Sequence, residues 1–576
     1  MNKSAVLHIP MSQDAFGTDE EHVTIRLRAG KDDLKSCVLH YGDRACRLTP
    51  VIFTEAVMEV VAQSELFDYY EVQLEKPYKR LCYYFELEDE AEKVLYYGDE
   101  FHMAPVEDRS EYYQLPFNHR ADIVKPPKWA GDTIIYNIFP DSFATGKRYI
   151  SGKSVEKEFE GKKTHGKLGG TIQGIIENID YLEELGVNAV YINPIFAAGE
   201  YHKYDLLDYF HIDPCFGSNQ EFKNMVRLFH EHGIRVIIDG VFNHCGWQFF
   251  AFEDVVEKGE ASKYKDWFYH LEYPVIRPKD AETYPNYECF GYERMMPKLN
   301  TQNPEVEAYF CNVCQYWLKE FDIDGWRLDV ASEVNDHFWR AFAQAARTIK
   351  EDVILIGEVW ETASHWLDGT IFDSTMNYDF RKHCRRFFGD ASIDAAEFDG
   401  RITNMRMRYR SQTVYAQLNL LDSHDVSRFL SLCGGDRERY RLAVIFQMTF
   451  PGMPSVFYGD EQGIEGILEE EYRHPMKWQE EDSLFQFFQT AIALRKKENV
   501  LRWGNFRTIQ AKEGSRLYVY ERELEGEAIR IFLNMDDKAR DISKLCEGRE
   551  ILWQKGRNGN CLEAKGFLVE RREKKS

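Results

Sequence analysis

The sequence predicts a multidomain chain built on a (β/α)8 TIM barrel. It adds an inserted loop domain after strand 3, an N-terminal β-sandwich and a C-terminal antiparallel β domain. Three observations lead there. Apolar, β-branched runs alternate with helical segments through the middle of the chain, the pattern of β/α units. Three of these runs end at a carboxylate: Gly325-Trp326-Arg327-Leu328-Asp329, Leu355-Ile356-Gly357-Glu358, and Leu421-Asp422-Ser423-His424-Asp425. Parallel barrel strands would project all three acids from the C-terminal face, where such barrels carry their active sites. At both ends of the chain the pattern changes to period-two alternation, the mark of antiparallel sheets.

Taken in order, residues 1–122 read as the sandwich, with alternating runs at 23–28, 69–74 and 81–87 and turns such as Gly42-Asp43 and Lys76-Pro77. Lys125-Pro126-Pro127-Lys128 reads as a stiff linker. Residues 123–494 form the barrel. Its first strand is expected at 133–139. A helix over 172–185 leads through Gly186 into the second, at 187–192, and a helix over 221–232 leads through Gly233 into the third, at 235–239. Runs starting at Ile323, Val353, Phe372, Gln417 and Ser455 complete the eight. The longest irregular stretch, 245–305, is rich in Tyr, Phe, Trp and Pro and is expected as an inserted subdomain, since loops of that length usually carry function. Residues 495–576 read as the closing β domain, with runs at 517–520 and 529–533.

Composition bounds the partners. The net charge of −24, from 72 basic and 96 acidic residues, repels phosphate backbones and anionic lipid, which argues against nucleic acid and membrane surfaces. A neutral substrate is not penalised. No apolar run approaches the roughly 20 residues of a membrane span, and Met1 to Pro10 lacks the apolar core of a signal peptide, so a cytoplasmic location is expected. Aromatics reach 14%, which serves core filling or the stacking of sugar rings. The 12 cysteines show no framework spacing and are expected as free thiols. Cys311 and Cys314 lie on a helical stretch, where they merely share a face.

An acid pair with a third carboxylate beside it is the equipment for cleaving a glycosidic bond. Arg327 and Asp329, two apart on a strand, share a face. The guanidinium should depress the Asp329 carboxyl and keep it ionised, as a nucleophile requires, unless the two are a structural ion pair lining the barrel. Glu358, followed by Trp360, has the aromatic, partly desolvated setting that suits a proton donor, although an acid there also serves as a helix cap. His244 and His424, each at a strand end near a carboxylate, suit recognition of sugar hydroxyls.

These residues resemble the α-amylase family of glycoside hydrolases. Asp239-Gly240-Val241-Phe242-Asn243-His244, Gly325 to Glu333, Gly357-Glu358-Val359-Trp360 and Leu421 to Asp425 are similar to its four ordered regions. Met296-Pro297-Lys298-Leu299-Asn300 resembles a fifth, typical of the neopullulanase, cyclomaltodextrinase and maltogenic amylase subgroup. The resemblance runs over nearly the whole chain. It implies Asp329 as nucleophile, Glu358 as acid/base and Asp425 as the carboxylate that stabilises the transition state. It implies that His244, Arg327 and His424 hold the sugar, Tyr204 stacks under it, and Trp360 and Glu333 border the acceptor side. Arg473 matches a substrate-gripping position, with Glu469 where the subgroup usually has Asp.

The implied reaction is retaining hydrolysis of α-1,4-glucosidic bonds in cyclodextrins, maltooligosaccharides and pullulan, with α-1,6 cleavage and transglycosylation alongside. No cofactor is required. A 4-α-glucanotransferase would share every catalytic residue, whereas a non-catalytic, amylase-like transporter subunit would have lost an acid and gained a membrane span. Many members bind calcium early in the barrel. Here the corresponding stretch is Ala144 to Ile150, with a Gly169-Gly170-Thr171 turn, and its two basic residues and Thr do not supply the six to eight oxygens calcium needs, so no metal site is expected. In the subgroup the N-terminal sandwich packs on the partner subunit's barrel. The paired tyrosines of this one (Tyr69-Tyr70, Tyr83-Tyr84, Tyr96-Tyr97, Tyr112-Tyr113) should each turn one ring outward, which suggests a homodimer.

Overall fold

The structure, a computed structural model, describes residues 1–75, 78–116, 119–478, 483–546 and 550–572. The expected Lys76-Pro77 turn lies outside them. The chain forms two compact units: Pro126–Arg381 with Ala416–Arg502, and Met1–Lys125 with Lys382–Tyr415 and Trp503–Ser576.

The first of these units holds eight parallel strands: β1 (Ile135–Ile138), β2 (Ala189–Ile192), β3 (Arg235–Gly240), β4 (Gly325–Leu328), β5 (Ile354–Gly357), β6 (Ser374–Thr375), β7 (Leu418–Leu420) and β8 (Met453–Phe457). They pair in the order β6-β5-β4-β3-β2-β1-β8-β7. A parallel bridge between Met376 and Leu418, with the Asn377 N–H on Leu418 O at 2.8 Å, joins the two edges into a barrel. The strands are buried on both faces, as a parallel sheet covered by helices requires. Ile135, Tyr191, Ile237, Ile354, Ile356 and Met453 fill the inside. The register sets Asp239 beside Arg327 and Leu328 beside Gly357, so Asp329 and Glu358 leave neighbouring strands at one level. Gly325 allows the close approach of β4 and β5, because a Cβ there would meet Ile354 O at 2.7 Å.

The covering helices start where the sequence caps them. Ser218 accepts the Glu221 N–H ahead of Asn219–Glu231 and donates its hydroxyl to the Glu221 side chain, a reciprocal cap. Asn303 and Pro304 open Pro304–Phe321, the helix carrying Cys311 and Cys314. Between β1 and β2 lies a hairpin of Val155–Phe159 and Lys162–Gly166 that the sequence reading missed. Its residues alternate charge with charge, so no apolar period marks it. The 245–305 insertion carries the helix Phe250–Lys258, then runs irregularly around buried Phe249, Phe252, Trp267, Phe268 and Tyr287. It is pinned to the barrel rim by the His244–Lys298 bridge and by the Leu299 N–H on Asn243 O at 3.0 Å.

In the second unit, two antiparallel sheets form the sandwich. One orders Ala15–Gly17, His22–Gly30, Phe67–Glu75 and Glu59–Gln63. The other orders Thr54–Val57, Ser36–Asp43, Leu81–Glu88, Lys93–Tyr97 and Glu100–His102. The expectation of outward tyrosines fails here. Both members of the 83-84, 96-97 and 112-113 pairs are buried, because both faces of the second sheet are covered. Tyr83 and Tyr113 pack on His8, while Phe53 from the 44–53 loop covers Tyr84 and Tyr112. Only Tyr69 is half-buried, with its hydroxyl on Asn404 Oδ1 at 3.1 Å. Residues 505–572 add a single antiparallel sheet, from Asn505–Ala511 to Cys561–Arg572.

His8 makes the sandwich sensitive to acid. Its ring sits between Arg26 O (2.7 Å) and the Tyr83 hydroxyl (2.9 Å), and burial pulls it down to about 4. Between pH 6.5 and 4 the unfolded chain binds a proton that the native chain does not, so stability falls as pH falls through that window. The loss reaches about 3 kcal/mol from this residue. His8→Gln should therefore lose less stability than wild type between pH 7 and 4.5 in urea titrations. An identical pH dependence would contradict this account.

All twelve cysteines are free, and among the described residues no helix is long and apolar enough to cross a membrane.

Candidate active site

The strand ends build a cleft of about 490 Å³ at the C-terminal mouth of the barrel. Asp329, Glu358, Asp425, His244, Tyr204 and Trp360 line it, as do Glu333, Glu469 and Arg473. Arg327 and His424 lie beneath its floor, fully buried.

Arg327 is the hub. Its Nη1 donates to Asp329 Oδ1 at 2.8 Å and to Asp239 Oδ1 at 2.9 Å. Its Nη2 stands 3.1 Å from Glu358 Oε1 and 3.8 Å from Asp425 Oδ2. Four carboxylates around one guanidinium leave an excess of negative charge in a dry place, and the protonation states follow. Burial and the Glu358 charge push the Asp329 carboxyl well above the ordinary range, against the pull of Arg327. The expected depression by Arg327 is thus real in sign but outweighed, because like charges in low dielectric cannot all ionise. Asp425 goes the other way. Burial opposes its charge, but His424, Arg327 and Arg473 together hold it well below the usual carboxylate range. The free site therefore disfavours the charge on Asp329 and favours it on Asp425.

Glu358 is aimed by two donors. The Val330 N–H reaches its Oε2 at 2.8 Å, and the Trp360 indole N–H reaches Oε1 at 3.1 Å. Val330 adopts φ 46°, a left-handed conformation costly for a β-branched residue. That turn points its amide at the neighbouring strand's acid, so the strain positions Glu358 relative to Asp329. Trp360 lies flat on Tyr378, with centroids 3.9 Å apart and planes 6° from parallel.

On the opposite wall, Tyr204 stacks on His424 at 5.7 Å and donates to Asp239 Oδ2 at 2.9 Å. His424 Nε2 lies 2.9 Å from Asp425 Oδ2, and its Nδ1 meets the Asn193 amide at 2.9 Å. Arg473 donates to Glu469 Oε1 at 2.5 Å and stands 3.5 Å from Asp425, so glutamate reaches the arginine as the subgroup's usual aspartate would need to. His244 turns an unpartnered Nε2 toward the site, and burial lowers the ring to about 3, so it meets substrate neutral. Glu333 is held by Lys298 Nζ at 2.9 Å.

Sequence reasoning missed several neighbours. Phe290 reaches the cleft from the insertion, beside Met296 of the fifth region, and His202 reaches it from the loop before Tyr204. That loop is braced by a fully buried pair, Lys203 Nζ to Asp213 Oδ2 at 2.8 Å, with Lys203 at φ 64°. Asp239 and Tyr191 lie under the floor, joined at 2.6 Å. Asp239 was legible as another acid ending a strand. Phe290 carried no signal among the aromatics of an irregular loop.

The fold and these motifs agree with comparison to known proteins. Residues 137–482 match the alpha-amylase catalytic domain and residues 1–119 the alpha-amylase N-terminal Ig-like domain. The chain belongs to the α-amylase family of glycoside hydrolases. It is 40% identical to a cyclomaltodextrinase of Geobacillus thermopakistaniensis, over 95% of this chain and 94% of that protein. It is also 40% identical to neopullulanase 2 of Thermoactinomyces vulgaris, over 92% and 90%. A solved cyclomaltodextrinase structure superposes with a TM-score of 0.91 at 36% identity, covering 99% of this chain and all of that one.

The early-barrel stretch does not suit the calcium that many family members bind. Lys147 pairs with Asp180 at 2.9 Å, and the Arg148 guanidinium lies 4.5 Å over the Tyr181 ring, so two cations occupy this segment. The buried Asp141 carboxylate is taken up by the N–H groups of Lys167 and Leu168, both at 3.0 Å. EDTA should therefore leave the melting temperature within about 1–2 °C, since a ligand stabilises only by what it binds. A larger drop that calcium restores would show a site built from other oxygens.

Proposed function

We propose that this enzyme hydrolyses α-1,4-glucosidic bonds with retention of configuration in cyclodextrins, maltooligosaccharides and pullulan, with α-1,6 cleavage and transglycosylation alongside. The observation that carries the reading is the reach of one buried guanidinium, Arg327, to Asp329, Glu358 and Asp425 at the open end of the barrel. Asp329 attacks the anomeric carbon as Glu358 gives its proton to the leaving oxygen. The bond to the departing sugar breaks as the bond to Asp329 forms. Glu358, now ionised, takes a proton from water, whose oxygen displaces Asp329. The cycle starts with the proton on Glu358 and the charge on Asp329. Asp425, ionised throughout, stabilises the positive charge that develops on the sugar.

In the same reading His244, Arg327 and His424 hold the glucose and Tyr204 stacks beneath it. Trp360 and Glu333 border the acceptor side, and Glu469 with Arg473 grips the donor side. Residues 123–494 carry catalysis, flanked by the domains at 1–122 and 495–576. The names of the cyclomaltodextrinase and neopullulanase relatives support the substrate range. Chromatography of products from α-, β- and γ-cyclodextrin, pullulan, starch and maltotriose tests it. Short oligosaccharides released fastest from cyclodextrins are expected. Longer oligosaccharides built from maltotriose, with little hydrolysis, would identify a glucanotransferase instead.

A cytoplasmic location is supported by the uniformly free cysteines, which a reducing compartment maintains. A homodimer is supported by Val57, 72% exposed on the Thr54–Val57 edge strand of the sandwich, and by Ile52, 67% exposed in the loop just before it. Apolar side chains on an open sheet edge invite a partner. A protein that sediments as a monomer at micromolar concentration would sink that assignment.

A further inference from the structure

The 245–305 insertion carries two aromatic rings that the catalytic reading does not use. Cys289 and Pro297 pair across a small hairpin, and the Phe290 N–H reaches Met296 O at 3.0 Å. Its tip is the turn Phe290-Gly291-Tyr292-Glu293, closed by the Glu293 N–H on Phe290 O at 2.9 Å, with Gly291 at φ 55°. The hairpin is braced. The Tyr287 hydroxyl donates to Arg294 O at 2.6 Å, Arg294 Nη1 donates to Pro278 O at 2.8 Å, and the Arg294 guanidinium lies over the Trp247 ring at 4.9 Å. At the start of that turn Phe290 lines the cleft and stacks on His244 at 5.1 Å.

Two residues on, Tyr292 points the other way and is 80% exposed. Tyr284, 74% exposed, meets it edge to face at 5.5 Å. Tyr284 is itself held between an Asx turn at Asp280 and Asn286, whose side-chain amide donates to Glu272 O and Pro274 O at 2.8 Å each. A single exposed ring needs no explanation. Here two rings meet at a braced hairpin whose Phe290, two residues from Tyr292, lines the cleft. Tyrosine offers an apolar face to a pyranose ring and a hydroxyl to its edge, at little cost in side-chain entropy. A cleft of about 490 Å³ is the size of a small-ligand pocket, so the remainder of a long or cyclic glucan must lie on the rim.

We propose that Tyr284 and Tyr292 form an outer binding platform for the sugar units of long or cyclic α-glucans that extend beyond the cleft. This deepens the reading above and rests on it.

The test compares Tyr284→Ala/Tyr292→Ala with wild type and with Tyr284→Phe/Tyr292→Phe, on maltoheptaose, β-cyclodextrin and maltotriose. The alanine pair should lower kcat/KM about tenfold on the two larger substrates, the equivalent of roughly 1.4 kcal/mol. The loss should come through KM, with maltotriose changed less than about twofold. The phenylalanine pair should retain most of the wild-type values, because the stacking face survives. An equal loss on maltotriose would mean that the rings only support the fold. An alanine pair indistinguishable from active wild type on all three substrates would overturn the platform alone. A wild type inactive on every glucan would overturn the functional reading and the platform with it. A changed sedimentation coefficient in the alanine pair would reassign the patch to a subunit contact.

Discussion

Asp329→Asn should reduce turnover of maltotriose by at least about 10⁴-fold, the usual scale for removing a covalent catalyst. The variant should fold at least as well as wild type. Burial and the Glu358 charge raise the Asp329 carboxyl above its value in an unfolded chain, so at pH 7 folding works against an ionised group. A neutral amide removes that conflict, while Arg327 keeps its bond to Asp239 and its proximity to Glu358. The expected combination is a dead enzyme with an unchanged or higher melting temperature, the familiar exchange of activity for stability at a strained site. Steady-state kinetics with a thermal melt reads both. A variant retaining a tenth of wild-type turnover would refute the nucleophile assignment, and one that loses both activity and structure would make Asp329 a structural partner of Arg327.

Glu358→Gln should be selective where Asp329→Asn is not. On maltotriose the leaving oxygen needs a proton, so the loss should again be several orders of magnitude. An aryl glucoside leaves without one, so the first half of the reaction survives and the glycosyl-enzyme accumulates for lack of a base. The reading is a burst of released phenol followed by slow turnover, which azide, needing no general base, should accelerate. The amide retains an oxygen for the Val330 N–H or the Trp360 indole, so the side chain should stay in place. Equal losses on both substrates, with no burst, would argue against Glu358 as the acid.

Much of the site was legible because its parts are local. An acid that ends a β-branched run is visible as such, and eight runs spaced by helical segments define a barrel before any coordinate is known. Asp329, Glu358 and Asp425 needed only the rule that strand ends share a face, and the structure does bring them to one guanidinium. Phe290 and His202 were hidden, since they reach the cleft from irregular loops whose path depends on distant contacts. The hairpin at Val155–Phe159 was hidden for want of an apolar period.

Local pattern in the sequence therefore determined the fold class and which acids follow the barrel strands, and its motifs carried the resemblance to the family. Tertiary structure decided which tyrosines are covered and which way the Asp329 carboxyl shifts. Alternation along a strand says that Tyr83 and Tyr84 face opposite ways, yet both are buried because a loop carrying Phe53 closes the second face. The spacing of Arg327 and Asp329 gives the sign of their interaction, yet Asp329 moves upward because Glu358, from another strand, is brought into the same dry site. Charge and burial add over everything nearby in space, and that sum is not written in the order of residues along a chain.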